Sequence, residues 1–267
     1  MTMIRARDVN CVKVTYSALG VGANTNIAIS GIATEDTLIF VGKFITAAAI
    51  ASLTDITSTC SITSAGNIQC TASTEAGGDA GLFVVWDDND GAKRARDVYN
   101  LKFAVLAGVA NAATDITVTG LATEDEVIFC GQFTTAAAIA TITDITTTLT
   151  ITATDTMRSS ATTVDDTLLF VWNDLNPGSG SSNTARDSIC LKVSVLAGTT
   201  ATTNIAVTDI ATEDQILWCG HLTTAAAIIT LEDKTSEVSV TSAGNIQLAS
   251  TSTATDALWL WWIDVSA

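Results

Sequence analysis

Few residues in this sequence have the chemistry to act as an acid, a base or a nucleophile. His221 is the only histidine. The matching positions in two further copies of a repeat, defined below, hold Lys43 and Gln132. A hydrolytic triad or dyad needs a base positioned beside its nucleophile, and no Gly-x-Ser-x-Gly sequence accompanies His221. We therefore interpret His221 as an ordinary polar residue.

Adjacent carboxylates are the other candidates for acid–base chemistry, because two acids in different environments can divide the acid and base roles between them. The repeated pairs are Glu35/Asp36, Glu124/Asp125 and Glu213/Asp214. Each pair lies between a turn and a strand, where acidic residues commonly support turn geometry. The sequence therefore predicts a protein that is not an enzyme.

Metal and cofactor sites are also not predicted. The segment Asp87–Gly91 has the acidic composition of a calcium loop, but a tryptophan precedes it and the glutamate that such a loop needs does not follow. No cysteine and histidine cluster has zinc spacing, and no glycine-rich phosphate loop follows a predicted strand.

The six cysteines do not form a disulfide framework. Cys130 and Cys219 share one repeat position, where the first repeat has Val41, and Cys11 and Cys190 share another. A metal-ligating or disulfide-bonded cysteine would not be interchangeable with an apolar residue such as valine. We therefore predict buried free thiols and assembly in a reducing cytoplasm. Cys60 and Cys70 are the exception, since they flank a turn symmetrically. Whether these two pair stays open.

The twelve lysines and arginines include three matched pairs, one in each repeat. These residues are Arg7 and Lys13, Arg96 and Lys102, and Arg186 and Lys192. One interpretation is an arginine–aspartate turn bond with an outward-facing strand lysine. The other is a cationic contact to a partner surface, repeated three times. The six residues are our candidates for partner binding.

A repeat of about 89 residues organises the chain. Three blocks recur in register: Ala-Arg-Asp at Ala6, Ala95 and Ala185, Ala-Thr-Glu-Asp at Ala33, Ala122 and Ala211, and Thr-Ala-Ala-Ala-Ile at Thr46, Thr135 and Thr224. We predict modules at residues 1–88, 95–174 and 185–267, with linkers at 89–94 and 175–184.

The predicted fold is all-β. Short runs rich in β-branched residues alternate with turn residues, which is typical of a sandwich or barrel. Each repeat closes with a continuous apolar run, at Leu82–Trp86, Leu168–Trp172 and Leu258–Ile263. Such runs predict strands buried on both faces. We expect three tandem, jelly-roll-like β-sandwich modules with pseudo-threefold symmetry.

Net charge and hydropathy limit the classes of partner that this chain is expected to bind. The formal net charge of −16 repels phosphate backbones, so we expect no nucleic acid partner. The longest apolar runs are far shorter than the roughly 20 residues of a membrane-spanning helix, and the first residues lack the apolar core of a secretory signal. The sequence therefore predicts a soluble protein with no membrane partner.

The module layout resembles the small all-β decoration, or cement, proteins of tailed-phage heads. The resemblance lies in the lysine-bearing first strand, the Thr-Glu-Asp turn, the segments Thr63–Gln69 and Thr241–Gln247, and a closing strand that ends in Trp86 and Asp87. The second repeat departs from this layout at Thr152–Arg158. The resemblance spans all three repeats.

This resemblance implies a virion protein that is assembled in the host cytoplasm and added to the outside of the capsid. It would bind the major capsid protein, and also neighbouring copies of itself. A tail-fibre or adhesin module that recognises a cell-surface ligand is the alternative. That alternative predicts exposed aromatic side chains in loops, whereas all six tryptophans lie in predicted strands.

Overall fold

The computed structural model describes residues 12–17, 21–46, 50–71, 80–88, 101–109, 114–135, 139–160, 166–175, 191–224, 228–250, 253–254 and 256–264. Of the predicted linkers, only Leu175 is among these residues.

Most of the described chain lies in β-strands, as the sequence predicts. The first repeat contains β1 (Val12–Ser17), β2 (Asn26–Ala28), β3 (Thr37–Thr46), β4 (Ile50–Asp55), β5 (Cys60–Ser64), β6 (Asn67–Cys70) and β7 (Ala80–Asp87). The second contains β8 (Leu101–Ala107), β9 (Asp115–Thr117), β10 (Glu126–Thr135), β11 (Ile139–Asp144), β12 (Leu149–Ala153), β13 (Thr156–Ser159) and β14 (Thr167–Asn173). The third contains β15 (Leu191–Ala197), β16 (Ile205–Ala206), β17 (Gln215–Thr224), β18 (Ile228–Asp233), β19 (Val238–Ser242), β20 (Asn245–Leu248) and β21 (Ala257–Ile263). Single 3-10 turns span Thr57–Thr59, Thr146–Thr148 and Thr235–Glu237.

The strands form one four-stranded and one three-stranded sheet from each repeat, and all of the strand pairs described are antiparallel. The four-stranded sheets have the orders β1-β7-β3-β4, β8-β14-β10-β11 and β15-β21-β17-β18. The three-stranded sheets have the orders β2-β6-β5, β9-β13-β12 and β16-β20-β19. The same strand order therefore occurs three times along the chain.

A small apolar core lies between the two sheets of each repeat. In the first repeat, Leu82, Val84 and Trp86 of β7 pack there with Ile27 of β2 and Ile68 of β6. The second and third repeats have corresponding clusters. Each repeat is thus a two-layer, sandwich-like unit.

The other face of each four-stranded sheet meets a larger central core, to which all three repeats contribute. Phe83 and Val85 of β7 alternate with the residues named above and point into this core. Their counterparts on the other closing strands are Leu169, Val171, Trp259 and Trp261. This alternation confirms that the apolar runs at Leu82–Trp86, Leu168–Trp172 and Leu258–Ile263 are buried on both faces.

The first strand of each repeat contacts the third strand of a different repeat. Strand β8 lies against β3, β15 lies against β10, and β1 lies against β17. Strands β4, β11 and β18, which end the four-stranded sheets, contact one another in all three pairings. The first and last repeats therefore touch directly.

A threonine that follows the fourth strand of each repeat accepts a hydrogen bond from the backbone of the third strand. The hydroxyl of Thr57 donates to the Asp55 carboxylate, and the Val41 N–H donates to the Thr57 hydroxyl oxygen. Thr146 and Thr235 likewise accept from the N–H groups of Cys130 and Cys219. These bonds satisfy donors of β3, β10 and β17 that the strand ladders leave free.

Candidate functional site

The lysine that the sequence singles out in each first strand lies beside a tryptophan of the closing strand. The register of β1 and β7 pairs Lys13 with Trp86. Directly paired residues in an antiparallel ladder project from the same face, so the two side chains are neighbours. The same pairing joins Lys102 to Trp172 and Lys192 to Trp262.

The six predicted partner-binding residues divide into two groups. Arg7, Arg96 and Arg186 lie outside the described residues, so their predicted contacts stay predictions. Lys13 has 42% of its side chain exposed and Lys102 and Lys192 are exposed. The three lysines are thus accessible to a partner.

A groove of about 340 Å³ lies where β1 meets β17, at the boundary between the first and third repeats. Its lining includes Lys13, Trp86 and Asp88 on one side and Gln215 on the other, with the backbone turn at Ser30 and Gly31. The Lys13 ammonium is 3.6 Å from the Asp88 carboxylate. Trp86 is only 4% exposed, and its indole N–H has no hydrogen-bond partner. The groove therefore combines an ammonium, a carboxylate and an amide, while the indole N–H is buried in the core of the first repeat.

The boundaries where β8 meets β3 and β15 meets β10 carry matching side chains. In the β8/β3 boundary they are Lys102, Trp172 and Asp174, and in the β15/β10 boundary they are Lys192, Trp262 and Asp264. The indole N–H groups of Trp172 and Trp262 also lack a partner. The position that Gln215 occupies in β17 is taken by Thr37 in β3, at the β8/β3 boundary. It is taken by Glu126 in β10, at the β15/β10 boundary.

Sequence reasoning found the lysines but not the groove. Lys13 and Gln215 are separated by most of the chain, and no local pattern indicates that β1 and β17 meet. The recurrence in each repeat of a lysine in the first strand and a tryptophan in the closing strand was the available signal, because strands that pair within a module hold such residues side by side.

The repeated acid pairs are built into turns. The backbone N–H of Ala33 donates to the Asp36 carboxylate at 2.8 Å, and the Asp36 N–H donates back to the Ala33 carbonyl at 3.2 Å. Asp125 and Asp214 make the same reciprocal bonds. These three aspartates are buried, while the glutamate beside each is exposed. The turn-supporting interpretation of the aspartates is therefore confirmed.

His221 lies in a buried pair on the third repeat. Its Nε2 is 2.7 Å from Oδ2 of Asp256, and the two side chains are 8% and 11% exposed. An ionised carboxylate only accepts hydrogen bonds, so Nε2–H is the donor. In the second repeat Gln132 donates to Asp166 in the same way. An amide fills the same role as the imidazole, which favours a packing role for His221.

The cysteines follow two patterns. Cys60 and Cys70 face each other across the β5–β6 hairpin, with Cα atoms 4.0 Å apart, and form a disulfide. The sequence left the pairing of these two cysteines open, and the bridge forms because a symmetric hairpin position brings the two side chains together. Cys130 and Cys219 are buried free thiols, as predicted. Burial raises the pKa of Cys219 to about 12 and raises the pKa of Cys130 as well, so both stay protonated and unreactive at neutral pH.

Among the described residues, no group of three or more potential metal-ligating side chains lies close enough together to hold a metal ion. None of the helices in that part of the chain has the length and apolar character needed to span a membrane. Comparison of the whole chain with protein-family models, curated proteins and solved structures finds no match.

Proposed function

We propose that this chain is a structural protein of a phage particle, a decoration protein that binds the outside of the head and stabilises its shell. In this proposal the repeats at 1–88, 95–174 and 185–267 are three jelly-roll-like modules related by pseudo-threefold symmetry. The three modules form a closed ring, so that one chain does the work of a trimer.

The observation that carries the proposal is the cyclic order of contacts between repeats. Strand β8 packs on β3, β15 on β10 and β1 on β17. An open row of modules would leave the last of these contacts unmade, since it joins the first repeat to the third. Repetition of one contact until it closes is the geometry of a cyclic oligomer.

The shared core supports the same arrangement. Trp259 packs against Phe83 of the first repeat and Phe129 and Phe133 of the second. A core that mixes side chains from three repeats holds them in one rigid body. Such a body presents three similar faces to a partner, and a threefold or quasi-threefold position of a shell offers three similar faces in return.

The chemistry of the surface favours a protein partner. The accessible lysines Lys13, Lys102 and Lys192 recur once in each repeat. The major capsid protein of the shell is the partner we propose, with contacts between neighbouring copies of this chain as a second stabilising element. The net charge of −16 argues against a nucleic acid.

Burial of the tryptophans favours the shell over a tail fibre or adhesin. All six are 4% exposed or less. A glycan-binding loop that stacks aromatic rings on sugars needs those rings at the surface.

The copy number of the chain in purified particles tests the proposal, measured by quantitative mass spectrometry against the major shell subunit. We expect a fixed, high ratio to that subunit. A few copies per particle would assign the protein to the tail, and its absence from particles would end the proposal.

Attachment to shells that lack the protein supplies a second test. Replacing Lys13, Lys102 and Lys192 together with glutamine should weaken binding and flatten its dependence on salt, because surface charges act over about 8–10 Å in physiological salt. Lys234→Gln is the matched control, since this lysine is held by Glu232 and Glu237 outside the three boundaries. Equal binding by the triple variant and the control would contradict a role for the repeated lysines.

A further inference from the structure

The central core receives side chains of very different size from equivalent positions of the three repeats. Two positions of the closing strands show this, with the residues of the first, second and third repeats being Phe83, Leu169 and Trp259 at one and Val85, Val171 and Trp261 at the other. All six side chains are fully buried. The third repeat therefore supplies the largest side chains, and the second supplies none larger than leucine at these positions.

The third strands continue this pattern. Their matching residues are Phe40 in the first repeat, Phe129 in the second and Trp218 in the third. The rings of Trp218 and Trp259 lie 5.4 Å apart, centroid to centroid. Phe83 of the first repeat packs against this group, with its ring centroid 5.0 Å from that of Trp218 and 4.9 Å from that of Trp259. The tryptophans of the third repeat thus form one block that receives an aromatic ring from the first.

The second repeat supplies a ring that fits the same block. Phe103 in β8 occupies the position that Val14 and Val193 hold in the other first strands. It stacks on Trp261 of the third repeat, with ring centroids 6.1 Å apart and an interplanar angle of 9°. It also stacks on Phe40 of the first repeat, at 4.8 Å and 11°. A valine in its place would leave the Trp261 ring without a flat neighbour.

Three copies of one repeat would not fill this core well. Three third repeats would place a tryptophan at each of these positions, and overpacking of a close-packed core is destabilising. Three second repeats would place leucine and valine on every closing strand and would leave cavities. We infer that the inner face of the third repeat, meaning the face of its four-stranded sheet that meets the central core, is a recognition surface for the inner faces of the first and second repeats. It does not fit a second copy of itself, so a ring contains one repeat of each kind.

Such selectivity matters in a chain of similar repeats. Tandem repeats misassemble characteristically, because one repeat takes the place of another. Neighbouring copies of this chain, which the proposed function brings together on a shell, would add further repeats of each kind. The mixed core excludes a ring with two third repeats. This inference rests on the closed ring of the proposed function and not on attachment to a phage head.

Full-length variants that move side chains between repeats test the inference, with thermal unfolding followed by circular dichroism. The doubled variant gives the second repeat the closing-strand tryptophans of the third, through Leu169→Trp and Val171→Trp. We expect its melting temperature to fall by at least about 5 °C, because the core has no room for two further indole rings.

The exchanged variant adds Trp259→Leu and Trp261→Val to the doubled variant, so that these two positions keep the same set of side chains in total. The ring geometry places Val14 beside position 171 as it places Phe103 beside Trp261. The tryptophan introduced at position 171 therefore lacks its flat neighbour. We expect the melting temperature to stay at least about 5 °C below that of the unmodified protein.

Ile142→Leu with Leu231→Ile is the matched control. It exchanges two core residues between the same two repeats, at equivalent positions of β11 and β18 that are 6% and 4% exposed. Isomeric side chains of equal volume are tolerated best in a core. This variant should lose less stability than the exchanged variant does.

A rotated variant moves the whole set by one repeat, so that each aromatic contact described above is recreated between the preceding pair of repeats. Its changes are Val14→Phe, Phe83→Leu, Phe103→Val, Phe129→Trp, Leu169→Trp, Val171→Trp, Trp218→Phe, Trp259→Phe and Trp261→Val. Although it carries more substitutions, we expect it to melt at a higher temperature than the exchanged variant, because the neighbours of each ring move with it.

Two results would overturn the inference. If the doubled or the exchanged variant melts as the unmodified protein does, the core does not distinguish one repeat from another. If the rotated variant melts no higher than the exchanged variant, contacts between particular repeats do not select their order. Both results leave the copy number in particles unaffected, so failure here is distinct from failure of the proposed shell role.

Discussion

The indole of Trp259 stacks on the ring of Phe83, with 4.9 Å between ring centroids and an interplanar angle of 22°. Trp259 belongs to the closing strand of the third repeat and Phe83 to that of the first. Trp259 also contacts Phe133 of the second repeat, at 6.0 Å. One fully buried side chain thus joins all three repeats.

Replacing Trp259 should therefore loosen the whole protein. Leucine is the natural substitute, because Leu169 fills the matching position in the second repeat. Trp259→Leu leaves a cavity in the central core, and we expect the free energy of unfolding to fall by about 2–4 kcal/mol. Hydrogen exchange should increase in β7 and β14 as well as in β21.

Leu175→Ala is the control for this experiment, since Leu175 is 37% exposed and should change stability by less than about 0.5 kcal/mol. Faster exchange limited to the third repeat in Trp259→Leu would show that the repeats fold independently. That result would contradict the shared core as the source of rigidity.

The closing strands show how far the sequence predicts this fold. A run such as Leu82–Trp86 indicates burial on both faces, because neither alternate set of side chains is polar. It does not indicate what covers each face. Here Trp86 faces the three-stranded sheet of its own repeat, while Phe83 faces residues that are far away in the sequence. Local periodicity carries no information on such distant contacts.

The candidate site was predictable to a similar extent. The repetition of Lys13, Lys102 and Lys192 indicated residues of interest, and their strand position predicted exposure. The groove itself also depends on Gln215 of β17, which lines it together with Lys13 only because the first and third repeats pack against each other. The turn aspartates were easier to predict because their partners lie three residues away.

The disulfide between Cys60 and Cys70 should stabilise only the first repeat's hairpin. It closes a loop with a sequence separation of 10 residues, and loop-closure entropy gives about 2–3 kcal/mol for a bridge of this size. Urea unfolding should show that reductant, or the double change Cys60→Ser with Cys70→Ser, lowers stability by this amount.

A second double variant separates the bond from its packing. The third repeat places Val238 opposite Leu248 at the same hairpin position. Cys60→Val with Cys70→Leu should therefore lose less stability than the serine pair and should not respond to reductant. If reductant leaves the unmodified protein unchanged, the bridge does not contribute to folding.

Tyr16 should make the protein sensitive to alkali. Burial raises the pKa of its hydroxyl from 10.0 to about 12, and the ring packs edge-on against Phe44 at 6.4 Å. Above pH 10 the unfolded chain loses this proton while the folded chain keeps it. Stability should therefore fall as the pH rises from 10 to 12.

Tyr16→Phe removes this titration and keeps the ring. Urea unfolding at pH 9 and pH 11 should show a smaller loss of stability in the variant than in the unmodified protein. Lysines and cysteines that titrate in the same range are present in both, so they cancel in the comparison. An equal loss in both proteins would show that Tyr16 does not carry the effect.

The hydrogen bond between His221 and Asp256 should stabilise the third repeat. The His221 Nε2–H donates to a carboxylate that is 11% exposed. His221→Leu removes this donor to a largely buried carboxylate, and we expect a loss of about 1–3 kcal/mol. His221→Gln recreates the Gln132–Asp166 pair of the second repeat and should cost less than about 1 kcal/mol, because an amide N–H replaces the imidazole N–H. If the leucine variant is as stable as the glutamine variant, the hydrogen bond does not stabilise this position. If both variants also lose stability relative to the unmodified protein, the imidazole ring itself is required.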